Sequence, residues 1–201
     1  PPPGPTDEVS PSPSDMASRG EAWLMALRDL AHRVAHDQDK QVRVRTEVDH
    51  GALTPAMRQV LREVLPQLVR NAVAHGIEAP QERLAAGKSP EGELRIAVDA
   101  DAAGGVCVTV ADDGRGIPVA HLRDRMAAVT GLPPESLSNE MVLRHMFDDQ
   151  VSTAEQVDDH AGRGVGLALV RDLARQAGAT LRVATQASRF TRFELQWKPG
   201  A

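Results

Sequence analysis

The stretch Gln67-Leu68-Val69-Arg70-Asn71-Ala72-Val73-Ala74-His75-Gly76 constrains this chain more than any other, because it must be a buried helix and yet carries polar groups along it. Val60, Leu61, Val64, Leu65, Leu68, Val69, Ala72 and Val73 recur at helical spacing, so one continuous apolar stripe faces a core. Thr54-Pro55 supplies an N-cap and a proline at the first helical position, and the helix is expected to run to His75. Pro66 lies inside the pattern and predicts a bend just before Gln67. Two glycine-bearing segments lie downstream, Asp112-Asp113-Gly114-Arg115-Gly116 and Gly162-Arg163-Gly164-Val165-Gly166. Together the three segments describe a nucleotide pocket.

Each segment supplies one thing that a nucleotide needs. Asp112 ends a strand, and its carboxylate can only accept hydrogen bonds, which suits the exocyclic amino group of adenine and repels the guanine carbonyl. Gly114 and Gly116 let the backbone turn tightly against a base. Gly162, Gly164 and Gly166 leave amides bare immediately before a helix, an anion site for phosphates. A dinucleotide fingerprint would follow the first strand, whereas these glycines come late, and no lysine and hydroxyl follow them as in a P-loop. Asn71 offers a hard amide oxygen to magnesium, with Arg70 beside it and His75 four positions on, on the same helix face. Taken singly, the three segments also read as an Asp-Asp-Gly turn, a flexible loop and a satisfied core amide. Their order, with suitable secondary structure under each, favours the pocket.

The 201 residues suffice for one globular domain plus a tail. The lone Cys107 allows no internal disulfide and sits in an apolar run, as expected of a small buried hydrophobe in a reducing cytoplasm. A net charge of −5 with both signs scattered argues against a nucleic-acid surface, and no apolar stretch approaches the ~20 residues of a membrane helix. Residues 1–19, rich in Pro and Ser, read as a disordered linker. Residues 20–38 read as an amphipathic helix through Trp23, Leu27, Ala31 and Val34, the end of a dimerisation or linker helix, with His32 and His36 as surface histidines.

The nucleotide domain is expected over 39–199. Strands are predicted at Gln41–Val48, Glu93–Ala100, Val106–Ala111, Thr180–Thr185 and Thr191–Trp197, with a turn at Ala103-Gly104-Gly105. Short helical pieces are predicted at Gln81–Ala86, Val119–Ala128 and Asn139–Phe147, and a further helix at Val165–Ala177. The polar stretch at about 118–161 reads as a lid over the site.

The set resembles the ATP-binding fold shared by histidine kinases, gyrase, the Hsp90 chaperones and MutL, and is most similar to the kinase domain of chemotaxis-type CheA histidine kinases. Leu68-Val69-Arg70-Asn71-Ala72 with His75-Gly76-Ile77-Glu78 resembles that family's N box. Glu82-Arg83-Leu84-Ala85-Ala86-Gly87-Lys88 resembles the loop after it, and Ser152-Thr153-Ala154-Glu155 with Gly162 to Gly166 resembles its lid and second glycine box. The resemblance covers about Leu27 to Trp197. It implies a two-layer α/β sandwich, a mixed sheet with helices on one face and a lid over ATP. It also implies magnesium on Asn71, adenine read by Asp112 with Gly114, Gly116 and Thr191 about the base, and phosphates on Arg70, Lys88, Ser152, Thr153 and Gly162-Arg163-Gly164-Val165-Gly166. Gln67 and His75 take the catalytic positions.

The implied reaction passes the γ-phosphoryl of ATP to a histidine on a separate phosphotransfer domain. A response regulator, a coupling or receptor protein and dimerisation of the full-length chain are implied as well. The chain also departs from the family. Gln67 stands where kinases carry a histidine and ATP hydrolases a glutamate, and it cannot take a proton near neutral pH. Ala74 replaces an acid, Phe147-Asp148-Asp149-Gln150-Val151 replaces a Pro-Gly-Phe run, and Ser188 to Phe190 replaces a glycine-rich turn. The alternative is therefore a degenerate domain that binds nucleotide or a partner without kinase activity.

Overall fold

The computed structural model describes residues 13–147 and 165–200. Among them lie six α-helices and five strands in chain order: α1 (Pro13–Asp37), β1 (Val42–Val48), α2 (Pro55–Asn71), α3 (Pro80–Ala85), β2 (Gly92–Ala100), β3 (Val106–Asp112), α4 (Val119–Thr130), α5 (Asn139–His145), α6 (Val165–Gln176), β4 (Thr180–Gln186) and β5 (Phe190–Trp197). The strands form one sheet in the order β1-β2-β3-β5-β4, with β1 parallel to β2 and every other pair antiparallel. A parallel pair needs a long crossover. Here that crossover is α2 with α3, so the helix carrying Asn71 is pressed against the sheet by the connection itself.

Period-two patterning decides which face is covered. In β3, Val106, Val108, Val110 and Asp112 are buried, and in β5 Thr191, Phe193, Leu195 and Trp197 are. These residues meet a helical layer of α1, α2 and α6, in which Leu61, Val64, Leu65, Leu68 and Val69 of α2 are fully buried. On the opposite face Arg45 pairs with Glu93 and Glu47 with Arg95 in the open. Such exposed pairs add little stability but keep that face soluble without a third layer. The result is a two-layer α/β sandwich, a mixed sheet with helices on one face.

One expectation changes. α1 opens at Pro13, inside the stretch read as linker; its proline and serine count outweighed the helix-compatible run that follows Pro13. Its stripe packs on the domain itself, with Leu24, Leu27, Ala31, Val34 and Ala35 buried in the domain core. The helical pieces expected in the first part of the lid are present as α4 and α5, and Leu122 of α4, Val142 of α5 and Leu137 between them form a small core of their own. Phe147 then docks in the main core, edge-on to Phe193 with ring centroids 6.3 Å apart. The remainder of the expected lid lies outside the described residues.

Two backbone corners shape the surroundings of the site. α1 ends in a Schellman turn with Asp39 at φ 53° and the Lys40 N–H donating to Ala35 O at 2.8 Å, so β1 starts with almost no slack. The β4–β5 turn places Ser188 at φ 60°, a left-handed conformation that favours glycine. That is why the missing glycine-rich turn is a genuine departure. α2 passes through Pro66 as unbroken helix.

Leu68→Ala removes a fully buried side chain from the helix that carries the site. It is expected to lower the free energy of unfolding by about 3 kcal/mol. Urea denaturation should show a lower midpoint at an unchanged slope.

Candidate functional site

α2 ends at Asn71 and continues as a π turn, Ala72–Gly76, closed by the Ile77 N–H donating to Ala72 O at 2.8 Å. The regular helix expected to reach His75 is thus widened over its last turn. The widened turn sets its backbone very close to Asp112. A Cβ on Gly76 would lie 2.7 Å from Asp112 Oδ1, and one on Gly114 would lie 2.2 Å from Gly76 O. Only glycine allows both approaches. The Arg115 N–H then donates to Gly76 O at 2.9 Å, joining the π turn to the loop after β3.

Asp112 sits at the bottom of this junction, 5% exposed, with Oδ1 accepting the Gly114 N–H at 3.0 Å. Burial pushes its carboxyl up to about 7, partly opposed by that hydrogen bond, with the charges of Asp113 and Glu78 adding to the rise. A carboxylate so poorly solvated gains from a polar hydrogen-bond donor arriving from outside. Thr191 pairs with Asp112 in register and is also buried, so its side chain shares this floor. Gly116, at φ 72°, lies against the β4–β5 turn, where a Cβ would meet Gln186 O at 2.4 Å.

Under the floor runs an ionic network that the sequence alone did not reveal. The Arg83 guanidinium, 1% exposed, donates to Glu78 Oε2 at 2.9 Å, Asp113 Oδ2 at 2.7 Å and Ser89 O at 2.7 Å. Asp113 Oδ1 accepts the Glu93 N–H at 2.8 Å. Burial alone would raise the Glu78 carboxyl, but the hydrogen bond and charge of Lys88 and the charge of Arg83 hold it below its ordinary value. Sequence contained a signal for this network, since Arg83 and Lys88 both fall in the loop that matched a family motif.

Lys88 needs correction. It was expected near phosphates, but its Nζ donates to Glu78 Oε1 at 2.8 Å, Asp113 O at 2.9 Å and Gly114 O at 2.8 Å. An ammonium has three donors. All three are directed into the base of the glycine loop, so Lys88 shapes the pocket floor and has none left for a phosphate.

The other expected residues divide into two groups. Gln67, Asn71 and His75 follow one another along α2 and its π turn, with Arg70 exposed beside them. Asn71 makes no side-chain hydrogen bond among the described residues and is half-buried, which leaves its amide oxygen for a hard cation with waters and phosphates completing the shell. His75 is exposed at the rim; partial desolvation, then the charges of Lys40 and Arg115, hold its imidazole below the ordinary 6.5, so it is neutral at pH 7. Gly166, near the start of α6, brings the second glycine segment to α2, since a Cβ there would lie 3.3 Å from Gln67 Oε1. Ser152, Thr153, Gly162, Arg163 and Gly164 lie outside the described residues, and Val165 is placed only as the first residue of α6. A cavity of about 410 Å³ opens at the far end of the sheet, around Asp99, Cys107, Thr180 and Gln196, with no convergence of reactive groups.

Residues 57–201 match the family described as histidine kinase-, DNA gyrase B- and HSP90-like ATPase. The chain belongs to this family. It is 35% identical over 165 residues to the chemotaxis protein CheA of Klebsiella aerogenes, covering 82% of this chain and 24% of the relative. Against the chemotaxis protein CheA of Rhizobium meliloti it is 32% identical over 158 residues, covering 78% of this chain and 21% of the relative. The chain therefore spans less than a quarter of the length of these relatives. Among solved structures, the histidine kinase domain from the Erythrobacter litoralis EL346 blue-light activated histidine kinase aligns with a TM-score of 0.47 at 16% identity, over 86% of this chain and 59% of that one. Among the described residues no helix is long and apolar enough to cross a membrane.

Two outcomes are expected for the nucleotide-free chain. Asp112 ionises near 3.8 when unfolded and about 7 when folded, so the folded state holds the extra proton between those values. Stability should fall as pH rises through that window, and Asp112→Asn should flatten the fall in urea titrations at successive pH values. Arg83→Met leaves the buried Glu78 short of a partner and should cost about 3 kcal/mol or more, read by the same titration. Arg83→Lys should not restore it, because a lysine cannot replace a fork directed at several acceptors.

Proposed function

We propose that this chain is the ATP-binding catalytic piece of a chemotaxis-type sensor histidine kinase. It takes ATP with magnesium and passes the γ-phosphoryl to a histidine on a separate phosphotransfer domain, from which a response regulator draws. The observation that carries this is the buried Asp112, with one carboxylate oxygen accepting the Gly114 N–H and with Gly76 and Gly114 packed so close to it that neither can carry a side chain. A purine amino group is the donor such a floor accepts, and a guanine carbonyl in its place would face like polarity. Asn71, one turn before Gly76, would supply the single protein ligand to magnesium. The amides around Gly162 to Gly166 and the exposed Arg70 would take phosphates. Catalysis would rest on positioning and charge neutralisation, as is general for phosphoryl transfer. A coupling or receptor protein and dimerisation belong to the full-length molecule, which works in the cytoplasm in this reading.

One observation favours a second reading. Gln67 lies against Gly166, at the place where a proton-accepting side chain would sit, and an amide cannot accept a proton near neutral pH. A domain that binds nucleotide without transferring phosphate would look the same at the adenine end.

Calorimetric titration of magnesium and ATP into the chain separates these. Micromolar binding that Asp112→Asn and Asn71→Ala both weaken at least tenfold, about 1.4 kcal/mol each, supports the pocket. Absence of binding at millimolar ATP removes it. With binding in hand, phosphate transfer from labelled ATP to an added phosphotransfer domain that rises on Gln67→His supports the kinase. Transfer that stays at background in both proteins favours the degenerate domain.

A further inference from the structure

Lys40 is the first residue after the Schellman turn that ends α1, and its backbone is fixed there by the bond to Ala35 O. Its side chain crosses from the α1–β1 junction to the π turn, where Nζ donates to Val73 O at 2.9 Å and Ala74 O at 2.6 Å. Carbonyls at the end of a helix lack intrahelical donors, and a π turn is a rare, poorly self-supporting conformation that persists where surrounding contacts hold it. An ammonium is well suited to this end of the helix, because the oriented carbonyls carry its negative pole. Immediately beyond the two carbonyls come His75 at the rim and Gly76 against Asp112.

We propose that Lys40 is a positioning residue of the nucleotide site: by holding the Val73 and Ala74 carbonyls it keeps the π turn open, and so sets Gly76 against Asp112 and ties that contact to the end of α1. Lys40 touches no reacting group. It acts through the main chain, and its reach makes the α1–β1 junction part of the site's geometry. Arg28, in the same helix, donates to Thr46 Oγ1 of β1, so α1 is fastened to that strand as well. A displacement of the end of α1 therefore reaches Asp112 through two hydrogen bonds and one close contact.

This rests on the nucleotide reading only for its effect on binding; the effect on the π turn stands by itself. The experiment uses Lys40→Met and Lys40→Arg in the intact chain, with two readouts. In the nucleotide-free protein, amide exchange is followed at Ile77, which closes the π turn, at Arg115, which bonds to Gly76 O, and at Val108 in the middle of β3 as the global reference. Lys40→Met is expected to speed exchange at Ile77 and Arg115 about tenfold or more while Val108 changes much less, and Lys40→Arg, which keeps charge and donors, is expected to recover most of the protection. Titration with magnesium and ATP should show an affinity loss of about tenfold in Lys40→Met and a partial recovery in Lys40→Arg. Exchange at Ile77 and Arg115 that matches wild type in Lys40→Met, or that rises only in step with Val108, overturns the positioning role. If wild type binds no ATP while the exchange pattern is as expected, the nucleotide reading fails and the hold of Lys40 on the π turn stands.

Discussion

The Arg83 guanidinium is the interaction on which the rest of the site depends. It is almost wholly buried, and it joins three pieces of chain at once: Glu78 after the π turn, Ser89 in the loop before β2, and Asp113 after β3. Planar donors fanning out in fixed directions can satisfy such a set at once. Lys88 fills the remaining acceptors beneath the glycine loop. The support beneath Asp112 and the glycine loop is thus built from charge turned inward and paired. A buried ion pair is weak evidence of stability in itself, since desolvation cancels much of the attraction. What this one provides is a single arrangement of three loops.

The sheet supplies the complementary constraint. Because β1 runs parallel to β2, the connection between them must cross the covered face, and that connection is the site helix. The end of α2 cannot drift without sliding its fully buried leucines and valines over β3 and α6. Core packing fixes where Asn71 lies, and the ionic network fixes where Asp112 lies. The two are brought together by the unusual closeness of Gly76 to the aspartate. Lys40 completes the frame from the side of α1.

Most of this frame was legible in the chain. The alternation in β3 and β5 and the long apolar stripe of α2 each have one strong period, and the limits of both strands fell within a residue of expectation. Asp112 and the glycines about it were readable because a carboxylate at the end of an apolar strand followed by two glycines has few uses. The failures have a common physical origin. Lys88, Arg83 and Lys40 are long, flexible cations whose destinations depend on which acceptors the fold brings near, and linear spacing does not encode that. The π turn was equally hidden, since the contacts around it, with Asp112 and with Lys40, come from distant parts of the chain rather than from local propensity. For α1, a count of proline and serine spoke louder than the residues behind them.

The closeness of Gly76, Asp112 and Gly114 also determines how this pocket could be reshaped. Both glycines already touch their neighbours with no side chain at all, so neither can be trimmed to make space. Asp112 cannot be shortened without losing its carboxylate. Thr191 is different: it stands beside Asp112 on the next strand, buried in the same floor, and carries atoms that can be removed. Any added room beside Asp112 would have to come from that strand, whose backbone is held by β3 on one side and β4 on the other. The surroundings of Asp112 are rigid on the helix side and adjustable on the sheet side.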